Sequence, residues 1–223
     1  MVPSVEHLTA SNPARSAGRG AETRRRILGA AEELFAERGI DGVSLREITS
    51  AAGANSAAAH YHFGSKDAVL AELFDERARA IVDRRLEMLR DVSRDEAGVP
   101  GVEDVLRAFL RPALDAAVAP GGKAFMRLRA LLAFEAAALR RDVLSKAFDA
   151  SSRQFLEELH LALPDVPVED LRWRFHFMLG AMTYTMATPG RIESITYGAL
   201  DSSENAAALE QLVRFATAGL RAP

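Results

Sequence analysis

The sequence predicts an all-α protein of about nine helices, with a small N-terminal three-helix unit followed by a larger helical body. Three observations lead there. Apolar residues recur at intervals of three and four through most of the 223-residue chain, the spacing that lines one face of a helix. Gly and Pro cluster at Gly98-Val99-Pro100-Gly101, Ala119-Pro120-Gly121-Gly122, Leu163-Pro164-Asp165 with Pro167, and Pro189-Gly190, cutting the chain into helix-length pieces. No sustained alternating run lies between hairpin signals, and no internal repeat is visible, so a sheet is not expected.

Residues 1–20 are rich in Ser, Pro, Gly and Ala without apolar periodicity and read as a flexible arm. A first helix follows over Ile27, Ala30, Ala31, Leu34 and Phe35, with Gly39 placed as its C-terminal cap. Ser44 with Glu47 has capping-box form and starts a second helix over Leu45, Ile48, Ala51 and Ala52. Asn55 is a good N-cap for a very short third helix ending near His62. Ser65 caps a long helix through Val69, Leu70, Leu73, Phe74, Ala78 and Ile81, reaching toward Arg94. Further helices are expected near 102–118, 123–139, 141–162, 168–187 and 203–220, with Pro112 kinking or splitting the first of them.

Composition narrows the class. At 48% hydrophobic and 26% charged, the chain can bury a core. Cys is absent, which excludes disulfides and thiolate metal sites and suits a reducing cytoplasm. The longest nearly apolar run, Phe175 to Ala187, is thirteen residues, short of the roughly 20 that span a bilayer. A soluble, cytoplasmic protein without a membrane partner is therefore expected. The net charge is −3, but residues 1–30 hold five arginines against two glutamates, a local +3 that leaves −6 for the rest. A basic front on an acidic body suits a protein that touches phosphate with one end, and a solvated basic tail reads equally well.

The segment Ser44 to Lys66, SLREITSAAGANSAAAHYHFGSK, carries the function. Two short helices around a turn at Gly53 make a helix-turn-helix, and small alanines let the second enter a major groove. From about Thr23 to Leu73 the chain resembles the TetR family of transcriptional regulators. The specific part is His60-Tyr61-His62-Phe63-Gly64-Ser65-Lys66 at its distance after Ala51-Ala52-Gly53. The resemblance implies a DNA-binding unit over 21–66 and a ligand-binding and dimerisation domain over 67–223, with a small molecule releasing the protein from DNA.

It also implies residue roles. Ser44 caps the supporting helix and can meet phosphate; Arg46 can reach a base edge or the backbone. Asn55, Ser56, Ala57 and Ala58 lead the reading helix, where Asn55 or Ser56 can hydrogen-bond and Ala57 or Ala58 can pack on a thymine methyl. His60, Tyr61 and Lys66 match positions that meet the sugar-phosphate backbone. Arg19 to Arg26 can reach phosphate or the minor groove, or form a solvated helix start. His60 departs from the family's common Tyr, and Ser56 gives up a charge-assisted contact, so Arg46 or DNA shape can carry more of the specificity. His62 and Phe63 read as core. His60 and His62 point to opposite helix faces, so neither a metal site nor a cofactor is expected.

In the body, two helices are apolar nearly all round, which suggests a pocket lined by Phe125, Met126, Arg129, Phe134, Trp173, Phe177, Met178 and Met182. Ordinary core and a dimer interface are the alternative. A short likeness of Phe175 to Met182 to fatty-acid-responsive family members points to a fatty-acid-like effector, with Arg129 or Arg174 for its carboxylate. One reading helix covers few base pairs, so a homodimer on double-stranded palindromic operator DNA is expected, its interface on the helices near 168–187 and 203–220. An activator, or a regulator answering to a protein partner, stays open beside the repressor. No GxSxG, HExxH, Walker loop or dinucleotide fingerprint supports an enzyme.

Overall fold

The computed structural model describes residues 13–55, 61–133, 138–188, 190–201 and 205–223. Among them are nine helices: α1 (Pro13–Arg38), α2 (Leu45–Ala51), α3 (Lys66–Arg90), α4 (Val102–Val118), α5 (Gly122–Ala133), α6 (Ala138–Ala162), α7 (Val168–Ala187), α8 (Arg191–Ile195) and α9 (Asn205–Leu220). No strand occurs among the described residues; a single antiparallel bridge joins Arg94 and Pro100.

The caps read at Gly39, Ser44 and Ser65 are in place; the short helix expected after Asn55 lies largely outside the described residues. The Gly39 N–H donates to the Phe35 carbonyl at 3.0 Å. Ser44 Oγ accepts from the Glu47 N–H at 3.2 Å while Glu47 Oε2 accepts from the Ser44 N–H at 2.9 Å, so both halves of the capping box are formed. Ser65 Oγ accepts from the Ala68 N–H at 3.1 Å and starts α3.

Four boundaries differ from expectation. Helix α1 begins at Pro13, inside the stretch read as an arm, because Pro suits a first helical turn and no strong breaker separates it from Arg24. Helix α4 runs through Pro112 without being split. The missing N–H is offset by burial of the ring and of Ala113 and Leu114 beside it. The long helix from Ser65 stops at Arg90, short of Arg94. Helix α8 follows Pro189-Gly190, where the sequence signals only a break, and its five residues are too few to show periodicity.

Helix α4 is the axis of the body. It packs against α3, α5, α6, α7 and α9 and buries Val105, Leu106, Phe109, Leu110 and Leu114. The Phe109 ring meets Phe155 of α6 edge-on at 5.0 Å and Phe175 of α7 at 5.4 Å. Each such pair contributes about 0.5–1.5 kcal/mol beyond the area it buries. Helix α1 packs on α2, α3 and α5, so the N-terminal unit and the body meet along its length.

Candidate nucleic-acid interface and ligand cavity

The N-terminal unit is built on an apolar seam: Ile27, Leu28, Ala31 and Phe35 of α1, Ile48 of α2, Phe63, and Val69, Leu70, Leu73 and Phe74 of α3 are all buried. The turn after α2 is tight. The Gly53 N–H donates to the Ser50 carbonyl and the Ala54 N–H to the Thr49 carbonyl, with Gly53 at φ +57°, a conformation that favours glycine. The chain is thereby turned toward Asn55, which is exposed.

Behind the motif lies a polar clasp. The Lys66 ammonium donates to the Ile40 carbonyl at 2.8 Å and the Val43 carbonyl at 2.9 Å, tying the α1–α2 turn to the start of α3. Arg38 donates to the Gly42 carbonyl and to Glu47 Oε1, at 2.8 and 2.7 Å. The Ser44 hydroxyl donates to Glu47 Oε2 at 2.7 Å. The Ser44 hydroxyl, then Arg38 and the Ser44 N–H, hold the Glu47 carboxyl down to about 2. Lys66, expected at phosphate, is thus occupied in holding the motif's frame, and the Ser44 hydroxyl is occupied as a cap.

The side chains left facing outward are different ones. Arg46 is exposed. Tyr61 is 86% exposed and touches His62 edge-on at 5.3 Å, so its hydroxyl is offered to solvent. His62 is half-buried, with a ring atom 3.7 Å from where a Cβ on Gly20 of α1 would lie, and Phe63 is buried, as both were read. Ser56, Ala57, Ala58 and His60 lie outside the described residues. Arg24 pairs with Glu72 and Arg25 with Glu22, whereas the exposed Arg26 reaches the Gly53 turn.

In the body the expected pocket residues separate. Phe125 packs on Phe74 at 5.1 Å, and Met126, Met178 and Met182 are core. Trp173 and Phe177 are 56% and 62% exposed and stack on each other at 5.9 Å. They stand on the outer face of α7, because a turn-by-turn apolar helix serves core and surface alike and periodicity cannot say which side is covered. Phe134 lies outside the described residues. Three of the set line cavities, but not the same one: Phe125 edges a cleft beside α3 and α4, Trp173 a surface cleft on α7, and Arg129 a cavity of about 160 Å³ walled by Phe109, Leu144, Phe148 and Leu179, residues the sequence reading did not assign to a pocket. Arg174, the other cation considered for a carboxylate, donates instead to the Leu220 and Ala222 carbonyls at 3.1 and 2.6 Å.

A family model described as bacterial regulatory proteins, tetR family, matches residues 27–73. A second, the tetracyclin repressor-like C-terminal domain, matches residues 107–219, half of the chain. The chain belongs to the TetR family. Among relatives, the HTH-type transcriptional regulator SrpR of Pseudomonas putida is 27% identical over 149 residues, which is 67% of this chain and 63% of that protein. The HTH-type transcriptional repressor KstR2 of Mycobacterium tuberculosis is 35% identical over 78 residues, 35% of this chain and 37% of that one. The chain therefore spans less than two thirds of the length of either.

Solved structures of regulators share this fold over most of the chain. The fatty acid degradation regulator FadR from Bacillus halodurans superposes with a TM-score of 0.67 at 18% identity, covering 89% of this chain and 96% of its own. A regulator from Saccharomonospora viridis in complex with choline gives 0.60 at 19% identity, covering 87% and 96%. Among the described residues of this TetR-family chain, no group of three His, Asp or Glu can hold a metal, and no helix is long and apolar enough to cross a membrane.

Proposed function

We propose that this TetR-family protein is a cytoplasmic transcriptional repressor: a homodimer that grips a palindromic operator and lets go when a small apolar or amphipathic molecule, fatty-acid-like in class, enters its body. The observation that carries the DNA half is Tyr61, standing out from the exit of a helix-turn-helix whose frame is braced from behind by Lys66 and the Ser44–Glu47 box. An exposed phenol there adds little to the core and suits a contact with phosphate. Arg46 joins it from α2. Asn55 leads the reading segment, with Ser56, Ala57, Ala58 and His60 beyond it, and Ser44 and Lys66 act mainly by holding the frame.

The dimer half is supported by the surface of α7 and α9, which pack together. Trp173, Phe177, Tyr184 and, on α9, Phe215 are all more than half exposed. A second copy covering this face by two-fold symmetry would bury them and set two reading segments about one DNA turn apart, roughly 34–36 Å. A ligand that tilts α3 would change that spacing, and a coupling of about 1–3 kcal/mol weakens operator binding about 5- to 150-fold.

Selection of bound duplexes from a random pool tests the reading. Enrichment of a two-fold sequence, bound by two protomers and lost with rising salt, is expected. A pool that emerges unenriched overturns it.

A further inference from the structure

Two arginines lie inside the body with no acid to answer them. Arg85 of α3 is fully buried and Arg129 of α5 is 8% exposed. Arg85 Nε donates to the Phe109 carbonyl at 2.8 Å, Nη2 lies 3.8 Å from Met182 Sδ, and the guanidinium sits 3.7 Å from the Phe109 ring centre. Both guanidiniums face the Phe148 ring, Arg129 at 4.6 Å and Arg85 at 5.9 Å. Each keeps an Nη1 buried without a hydrogen-bond partner. Among the described residues no ion pair within 4 Å is made by either, although ten arginines and one lysine elsewhere pair in that way.

A core has no use for this arrangement, since burying a charge without its counter-charge costs several kcal/mol. Burial, and for Arg85 also the like charge of Arg129, lowers both guanidinium pKa values, Arg129's to about 10. Arg129 therefore stays protonated at neutral pH. It also opens on the 160 Å³ cavity between α5, α6 and α7, where the Ser152 and Thr183 side chains are the neutral polar groups. The acid at that cavity, Asp149, is exposed and already accepts from the Ser145 hydroxyl at 2.5 Å. Three clefts, two of about 520 Å³ and one of about 420 Å³, are larger, but they are rimmed by exposed charges and hold no unpaired buried cation.

We propose that this cavity binds a small organic carboxylate, its head group paired with Arg129 and its hydrocarbon part against Phe109, Leu144, Phe148 and Leu179. The proposal rests on the reading of the body as the effector domain and names the chemistry of that effector. Arg85 is a positioning residue: it fixes the Phe109 ring and carbonyl and adds positive potential behind the two rings. The volume falls below the roughly 300–1,000 Å³ of drug-sized pockets. It therefore takes an acid of a few carbons, or the head of a longer one whose tail leaves by the mouth. A carboxylate fits better than a larger polyanion because the remaining wall is apolar.

Calorimetric titration of the full chain with straight-chain acids of four to ten carbons, benzoate and phenylacetate, each beside its own neutral amide, tests this. At least one acid is expected to bind about tenfold or more tighter than its amide, the usual advantage of a charge-assisted pair. Arg129→Met is expected to remove that preference while melting no lower than the wild type without ligand, since an unpaired buried charge has been taken away. Acids that bind no better than their amides, or an Arg129→Met protein that keeps the preference, overturn the site. Operator affinity measured alongside separates the two readings: an acid that binds through Arg129 and leaves DNA binding unchanged upholds the site and counts against effector-driven release.

Discussion

Arg77 of α3 grips Glu32 of α1 with two parallel hydrogen bonds, Nε to Oε1 at 3.0 Å and Nη2 to Oε2 at 2.5 Å. Glu32 is buried, whereas the Arg77 side chain is 40% exposed. The pair joins the first helix of the N-terminal unit to the long helix that leads into the body. The α4–α5 turn closes over it: a Cβ on Gly121, at φ +76°, would sit 2.6 Å from Arg77 Nη2. Glycine suits the backbone there, and a side chain would push the Arg77 guanidinium from its place on Glu32.

Removing one partner of this pair is expected to cost more than neutralising the other. Arg77→Ala strands a buried carboxylate and should lower the unfolding free energy by about 1–3 kcal/mol, whereas Glu32→Gln keeps the shape and should change it by about 1 kcal/mol or less. Urea unfolding of both single variants and the double variant measures the coupling. Equal losses for the two single variants would show that the pair is not what holds the junction.

The two bound carboxylates impose opposite pH dependences. Burial outweighs the pull of Arg77 and raises Glu32, so its contribution to stability is whole below the ordinary carboxyl range, about 4.3, and fades as pH rises through its raised folded value. Glu47, held down to about 2, contributes fully above that range, and its share is lost as pH falls from about 4.3 toward 2. Melting temperature against pH should therefore fall less steeply below pH 4 in Glu47→Gln than in the wild type, and less steeply as pH rises from about 4.3 in Glu32→Gln. Curves parallel to the wild type would contradict the assignments.

Frame and contact residues of the DNA-binding unit are expected to separate in a paired assay. Lys66→Met leaves the Ile40 and Val43 carbonyls without their donor and should lower stability by about 1–3 kcal/mol. Arg46→Ala and Tyr61→Ala should leave stability within about 0.5 kcal/mol and weaken operator binding. For Arg46→Ala, if its contact is to phosphate, the salt slope of binding should drop by about one. Thermal melts and DNA titrations of the same preparations decide it; an Arg46→Ala or Tyr61→Ala protein that binds like the wild type removes that residue from the interface.

The stacked Trp173–Phe177 pair is expected to sit at the two-fold interface. Phe177→Glu should place like charges across the symmetry axis and shift sedimentation from dimer toward monomer while the far-ultraviolet dichroism stays unchanged. A variant that sediments as the wild type would move the interface elsewhere.

Local signals were the legible part of this chain. Ser44 and Glu47, Ser65 and Gly39 announce their caps because capping chemistry needs those side chains within three or four residues. The aromatic string ending at Lys66 marked the DNA-binding unit, yet the ammonium's partners, 23 and 26 residues upstream, could not be read from spacing. The same limit hid Arg85: on an amphipathic helix an arginine reads as solvated, and only the packing of α3 on α4 turns it inward beneath Phe109. Trp173 and Phe177 show the opposite limit: on a helix apolar nearly all round, periodicity cannot say that these two stand more than half exposed while Met178 and Met182 are buried. The break expected at residue 140 falls inside α6, which already includes Ala138, because no Gly or Pro interrupts residues 123–162 to mark the junction.

The Glu32–Arg77 pair with Gly121 over it also constrains engineering. Regulators of this architecture invite chimeras in which one protein's sensing body is spliced to another's DNA-reading head, and a splice placed between α2 and α3 would part Glu32 from Arg77. Such a hybrid would inherit a carboxylate sealed in its seam with nothing to neutralise it. A workable graft carries all three residues from one parent or replaces all three together.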